Sequence, residues 1–144
     1  KYSFAKKFIL KSLDIEPENK KFWDLYLKIC VQINSYDEIK YVIDKTMSIN
    51  DNNINSLINL TKIFVDFPEK KIIKLFRGVL LKAYKSSEVP EFNYLLSVLN
   101  FKLKKDLKGY DHLRAAYSKL PKKYDFYKAE FKEIPNIESF KNIF

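Results

Sequence analysis

Cys30 and His112 are the only cysteine and the only histidine in the chain, so any relay built on a thiol or an imidazole has to pass through them. Their settings argue against such a relay. Cys30 falls on an apolar stripe with Phe22, Tyr26 and Ile33, where cysteine behaves as a small buried hydrophobe. His112 lies far from it along the chain, at the start of a predicted helix, and reads as a surface or packing residue. One cysteine and one histidine complete a tetrahedral zinc site only with several carboxylates, and the sequence offers no such cluster. The two glycines, Gly78 and Gly109, stand in no Gly-x-Gly or Gly-Lys-Ser/Thr string, so no phosphate-cradling loop is expected. Asp37 and Glu38 suit a helix start, where acidic groups cap and meet the dipole, better than acid–base work. The expectation is a protein that is not an enzyme, with no catalytic residue, no cofactor and no metal.

Two further sets of residues could recognise a partner. Trp23 and Tyr26 recur at helical spacing, which favours packing between helices over ligand binding. In the last third, Lys102, Lys104, Lys105 and Lys108 precede Tyr110, and Lys122 and Lys123 run into Tyr124, Phe126 and Tyr127. Lysines on phosphates and rings on bases is how a single strand is held, so Lys104, Lys105, Lys122 and Lys123 are the candidates for nucleic-acid contact. An amphipathic helix that buries its rings and solvates its lysines gives the same pattern. That reading is favoured, because only Arg77 and Arg114 of the 27 basic residues are arginines, the type suited to bidentate phosphate recognition. The net charge is +9; residues 1–53 carry 9 basic against 8 acidic groups and residues 104–144 carry 10 against 6, so the excess builds toward the C-terminus.

These side chains need elements to hold them, and the composition points to helices. Two glycines among 144 residues cannot supply the positive-φ turns of a sheet built from many hairpins. Apolar residues instead return every three or four positions: Phe4, Phe8 and Leu13; then Phe22, Tyr26 and Cys30; then Ile39, Val42, Ile43 and Met47; then Leu57, Leu60 and Phe64. The pattern continues through Ile72–Tyr84, Phe92–Leu103 and Leu113–Leu120, with shorter stretches at Tyr124–Phe131 and Ile137–Phe144. It predicts helices at about 2–14, 18–33, 36–49, 52–66, 68–86, 89–104, 107–119, 122–132 and 136–144. Pro17, Pro68, Pro90, Pro121 and Pro135 each stand where one pattern gives way to the next. Ser35 and Glu38 have the spacing of a capping box. No apolar run approaches the ~18 residues of a membrane helix, and the lone cysteine excludes an intramolecular disulfide and favours an intracellular setting.

The helices also repeat. Ala5–Leu13, Ile39–Met47 and Ile72–Leu80 align, with starts 34 and 33 residues apart, and a looser fourth copy begins at Leu113. A period near 34 residues made of two helices is the tetratricopeptide signature. Residues 1–66 resemble a tetratricopeptide array, with Trp23 opening a first helix, Ala5 and Ile39 at the small second-helix position and Pro17 closing a repeat. The half-a-TPR variant is resembled equally through Phe22-Trp23-Asp24-Leu25-Tyr26 and through Ile39, Lys40, Ile43, Asp44 and Lys45. The chain departs from these patterns at Leu27, where a small residue is usual, at Cys30, where the half-a-TPR variant has glutamate, and at Ile39, where alanine is usual. The resemblance implies an all-α, right-handed α-solenoid of antiparallel hairpins, a single domain over 1–144 with capping helices at 121–144. In such arrays the first helix of each pair lines a concave groove. That geometry makes Lys21, Asp24, Lys28, Gln32, Asn55, Ile58 and Lys62 the candidate partner-binding residues. Asp24 stands where chaperone-binding members want a lysine.

The chain opens on Lys1, and residues 1–16 read as the second helix of a repeat lacking its first, so a piece of a longer protein is expected, or an N-terminal partner over Phe4, Phe8 and Leu13. The function expected is a non-enzymatic scaffold for a protein partner, either a peptide segment or a neighbouring subunit, in the cytoplasm and with no membrane insertion. The alternative is a nuclear RNA-processing scaffold whose basic last third touches RNA.

Overall fold

The computed structural model describes residues 1–50 and 53–141. Among them the regular structure is entirely helical: α1 (Tyr2–Ile15), α2 (Lys20–Gln32), α3 (Tyr36–Asn50), α4 (Ile54–Val65), α5 (Lys70–Ser87), α6 (Glu91–Lys102), α7 (Asp106–Lys119), a 3₁₀ turn (Pro121–Lys123), α8 (Tyr124–Glu130) and α9 (Ile137–Lys141). Each expected helix is present within a few residues; the expected start at 52 and the end at 144 lie outside the described residues. The five prolines fall between helices or at their starts. The chain divides into two compact units, Lys1–Asn53 and Ile54–Phe144.

In the first unit α2 packs against both α1 and α3. Asn19 starts α2 by accepting hydrogen bonds from the Lys21 and Phe22 amides at 3.0 and 3.3 Å, which satisfies two otherwise orphaned donors. Trp23 is 7% exposed and donates its indole N–H to the Pro17 carbonyl at 2.7 Å, so the ring is buried without stranding its one polar atom. The other buried apolar side chains of this unit include Ile9, Leu13, Tyr26, Leu27, Cys30, Ile39, Val42 and Ile43. Leu13 thus belongs to the core, whereas Phe4 and Phe8 do not: they are 77% and 68% exposed.

In the second unit α6 is central, packing against α4, α5 and α7. The expected single stripe is not what α6 shows: every residue from Phe92 to Asn100 is buried, because three helices surround it. Its polar residues are satisfied on the spot. Ser97 donates to the Tyr94 carbonyl at 2.6 Å, Asn100 to the Leu96 carbonyl at 2.9 Å, and Asn93 to the Tyr84 hydroxyl at 3.2 Å. Phe64 stacks on Phe76 and Tyr94 on Tyr127, each pair with centroids 4.4 Å apart. Gly109 is required by close approach, since a Cβ there would meet the Phe101 ring at 2.8 Å.

One turn occurs twice. After α2, Asn34 takes φ 57° while the Ser35 amide donates to the Cys30 carbonyl and the Asn34 amide to the Val31 carbonyl, each at 3.1 Å. After α6, Lys104 takes φ 60° while the Lys105 amide donates to Asn100 at 2.8 Å and the Lys104 amide to Phe101 at 3.0 Å. This is the left-handed helix stop that pairs a 6→1 with a 5→2 bond. The next helix then starts alike: Ile39 donates to the Ser35 carbonyl and Gly109 to the Lys105 carbonyl, both at 2.9 Å. Gly109 thus follows the second turn at the same spacing as Ile39 follows the first.

Candidate functional site

Each unit gathers charged groups at its turn. In the first, the Glu38 carboxylate accepts from Lys6 Nζ at 2.5 Å, Tyr26 Oη at 2.6 Å and Ser35 Oγ at 2.9 Å, with Cys30 Sγ 4.0 Å away. The capping-box spacing is thus used differently. Ser35 donates its hydroxyl to Glu38, and Glu38 turns toward α1 and α2. The Lys6 ammonium, then the Tyr26 hydroxyl, hold the Glu38 carboxyl down at about 2. Burial, with Glu38 beside it, pushes the Cys30 thiol up to about 11, so it stays protonated and fits its expected role as a packed hydrophobe.

Beside this hub a cleft of about 460 Å³ is lined by Leu13, Trp23, Tyr26 and Tyr41 together with Asp14, Glu18 and Lys45. Tyr41 is 53% exposed and meets Trp23 edge-on at 6.1 Å.

The residues expected to line a groove are divided between the two units. On α2, Lys21, Lys28 and Gln32 are exposed, and Asp24 is half-buried between Lys20 and Lys28. Burial raises the Asp24 carboxyl, the two lysines oppose that shift, and its Oδ1 has no hydrogen-bond partner. On α4, in the second unit, Asn55 is exposed, but Ile58 is 5% exposed and Lys62 pairs with Glu130. Ile58 is therefore corrected to a core position. The buried face of α4 is wide, taking in Ser56, Leu57, Leu60, Thr61, Phe64 and Val65, and Ile58 falls inside it.

The four lysines proposed for nucleic acid are likewise divided. Lys104 and Lys105 precede α7, whereas Lys122 and Lys123 follow it in the 3₁₀ turn. A helix of 14 residues separates the two pairs by about 20 Å. Lys105 instead lies near Lys74 and Arg77 of α5 and Lys108 of α7, with Lys104 next to it in the chain. Arg77 Nη1 donates to Asn100 Oδ1 at 3.0 Å, and the same residue's carbonyl accepts the Lys105 amide, so Asn100, 2% exposed, ties the α5 cation to the turn. The nearby Arg77 charge, followed by slight burial, Lys108 and Lys74, holds the Lys105 ammonium below the usual lysine range. His112 lies beside this cluster inside α7, its Nδ1 3.1 Å from Asn93 Oδ1. Burial lowers its pKa, Asp111 opposes the shift, and Arg77 and Lys108 add to it.

Sequence reasoning missed Lys6 as the partner of Glu38, and Lys74 and Arg77 as neighbours of Lys105. Both sets join residues from separate helices, and the one available signal was that Arg77 is among only two arginines. No family model matches the chain, and no curated protein or solved structure matches it closely enough to lend it a fold or an activity.

Proposed function

We propose that this chain is a non-enzymatic scaffold that binds an amphipathic helix of a partner protein, built as a right-handed, tetratricopeptide-like array of antiparallel hairpins. The array reading draws support from the repeated turn, whose left-handed residues Asn34 and Lys104 stand 70 residues apart, close to twice a 34-residue period. Its helices pack with their neighbours, and among the described residues none is long and apolar enough to cross a membrane. A single cysteine, Cys30, suits a reducing intracellular compartment.

The observation that carries the binding reading is the outer face of α1. Phe4, Phe8 and Ile15 are 77%, 68% and 82% exposed, and their spacing sets them along one side of the helix, opposite the buried Ile9 and Leu13. A row of large apolar side chains left in water marks an interaction surface. Lys7 and Lys11 border the row and are exposed. An occupant with an apolar stripe and acidic flanks complements it, in the manner of a helix laid along an apolar face. The exposed Lys21, Lys28 and Gln32 of α2 offer a second, polar contact for the same partner.

The test is capture on the immobilised chain from nuclease-treated extract. Proteins held by the native chain should be released by the Phe4→Ser/Phe8→Ser/Ile15→Ser variant, and weakened by Lys21→Glu/Lys28→Glu, with helix content unchanged. Retention of the same proteins by the triple variant would overturn the reading.

A further inference from the structure

The second unit carries a feature that the scaffold reading does not use. Lys74 and Arg77 stand one turn apart on α5, Lys105 and Lys108 are one turn apart at the start of α7, and α6 packs against both helices. The buried Asn100 of α6 holds Arg77 by its side chain and the Lys105 amide by its carbonyl, so the position of the guanidinium is set before any ligand arrives. Side chains ordered in advance lose less entropy on binding. We propose that Lys74, Arg77, Lys105 and Lys108, with Lys104 beside them, form a site for the phosphodiester backbone of single-stranded nucleic acid.

The chemistry around the cluster selects this class of ligand. Protein interfaces need an apolar centre that is dried on contact. Here the apolar neighbours Leu103, Gly109 and Leu113 are already buried, and Leu107, in the first turn of α7, is the large apolar side chain left exposed beside the cluster, at 83%. Backbone recognition of nucleic acid needs only cations, with an arginine fork to take two oxygens of one phosphate. A compact cluster drawn from two helix turns suits a flexible strand, which can bring successive phosphates to it. Charge placement agrees: residues 1–53 are nearly balanced, at 9 basic against 8 acidic, so nearly all of the +9 belongs to the second unit.

Fluorescence anisotropy with a labelled eight-nucleotide oligouridine tests the site in the full chain. If four phosphates are neutralised, affinity should fall about 50-fold between 50 and 200 mM salt, from a slope of roughly −0.7 per phosphate. Arg77→Gln/Lys105→Gln should bind more weakly, and its fall should shrink to about 7-fold. Lys74→Gln/Lys108→Gln should behave alike, which guards against a folding defect specific to Arg77. Lys122→Gln/Lys123→Gln, at the far end of α7, should keep the native slope. Three results would overturn the proposal: no binding at 50 mM salt, an equal loss on changing Lys122 and Lys123, or displacement by octaglutamate as effective as by unlabelled RNA.

Discussion

The turns at Asn34 and Lys104 close with the same pair of backbone hydrogen bonds, yet the units around them spend their polar groups in opposite ways. In the first unit the turn sits beside an anion, Glu38, that Lys6, Tyr26 and Ser35 satisfy from within. In the second it sits beside a set of cations whose one internal splint is the neutral Asn100. A carboxylate that meets three donors locks α1, α2 and α3 together. Cations that face one another keep their charge turned outward. The backbone motif is thus independent of the chemistry hung on it, and the side chains decide whether a turn serves stability or recognition.

The largest expected effect lies in the first core. Trp23→Ala should cost about 3–5 kcal/mol, because it leaves a cavity between α1, α2 and α3 and strands the Pro17 carbonyl. Urea melts followed by far-UV circular dichroism should show an early loss of part of the helix signal while the second unit stays folded. An unchanged melt would mean that the ring contributes nothing to the core. Gly109→Ala asks the corresponding question of the second unit. The Cβ would press on Phe101, so a loss of about 1–3 kcal/mol is expected even though alanine is the better helix former. Ile39, at the same spacing from its own turn, is fully buried and fills its site. The contrast fails if Gly109→Ala is stabilising.

Glu38→Gln should destabilise the first unit by about 1–2 kcal/mol, an amount already reduced for the partial exposure of the pair. Because the folded carboxyl is held down near 2 against an ordinary 4.5, its contribution is complete above pH 4.5 and is lost as the pH falls toward 2. Trp23, the lone tryptophan, reports this transition by fluorescence. Exchanging the left-handed residues should act in opposite directions by about 0.5–1 kcal/mol. Lys104→Asn should stabilise and Asn34→Lys should destabilise, since asparagine tolerates positive φ better. Equal melting temperatures for the two variants would show that neither backbone is strained.

The smallest effect belongs to His112. Its folded pKa lies below the ordinary 6.5, so the unfolded chain binds the proton first, and stability present above pH 6.5 is lost as acid is added. On acidification the second unit should therefore weaken before the first, by under about 1 kcal/mol. His112→Gln should remove that early phase from the circular dichroism while leaving the Trp23 signal unaltered.

Periodicity and proline placement determined the helices of this protein, because a buried stripe needs side chains at intervals of three and four and a helix cannot be continued through the residue before a proline. They also determined that Trp23 and Cys30 are core, since both fall on those stripes. What α6 would bury was beyond them: its stripe reads like the others, and only three surrounding helices make Asn93, Ser97 and Asn100 interior. Ile58 misled for the same reason, as the width of a buried face is set by the number of neighbours. The Lys6–Glu38 pair spans 32 residues and the Arg77–Asn100 bond 23, distances along the chain at which no local pattern acts. Lys104 and Lys123 look like parts of one basic tract, yet α7 carries them to opposite ends of a rod. Local sequence sets the pitch and limits of each helix. Which charges meet is decided by packing, because Coulomb attraction and hydrogen bonding depend on separation in space and are indifferent to separation in sequence.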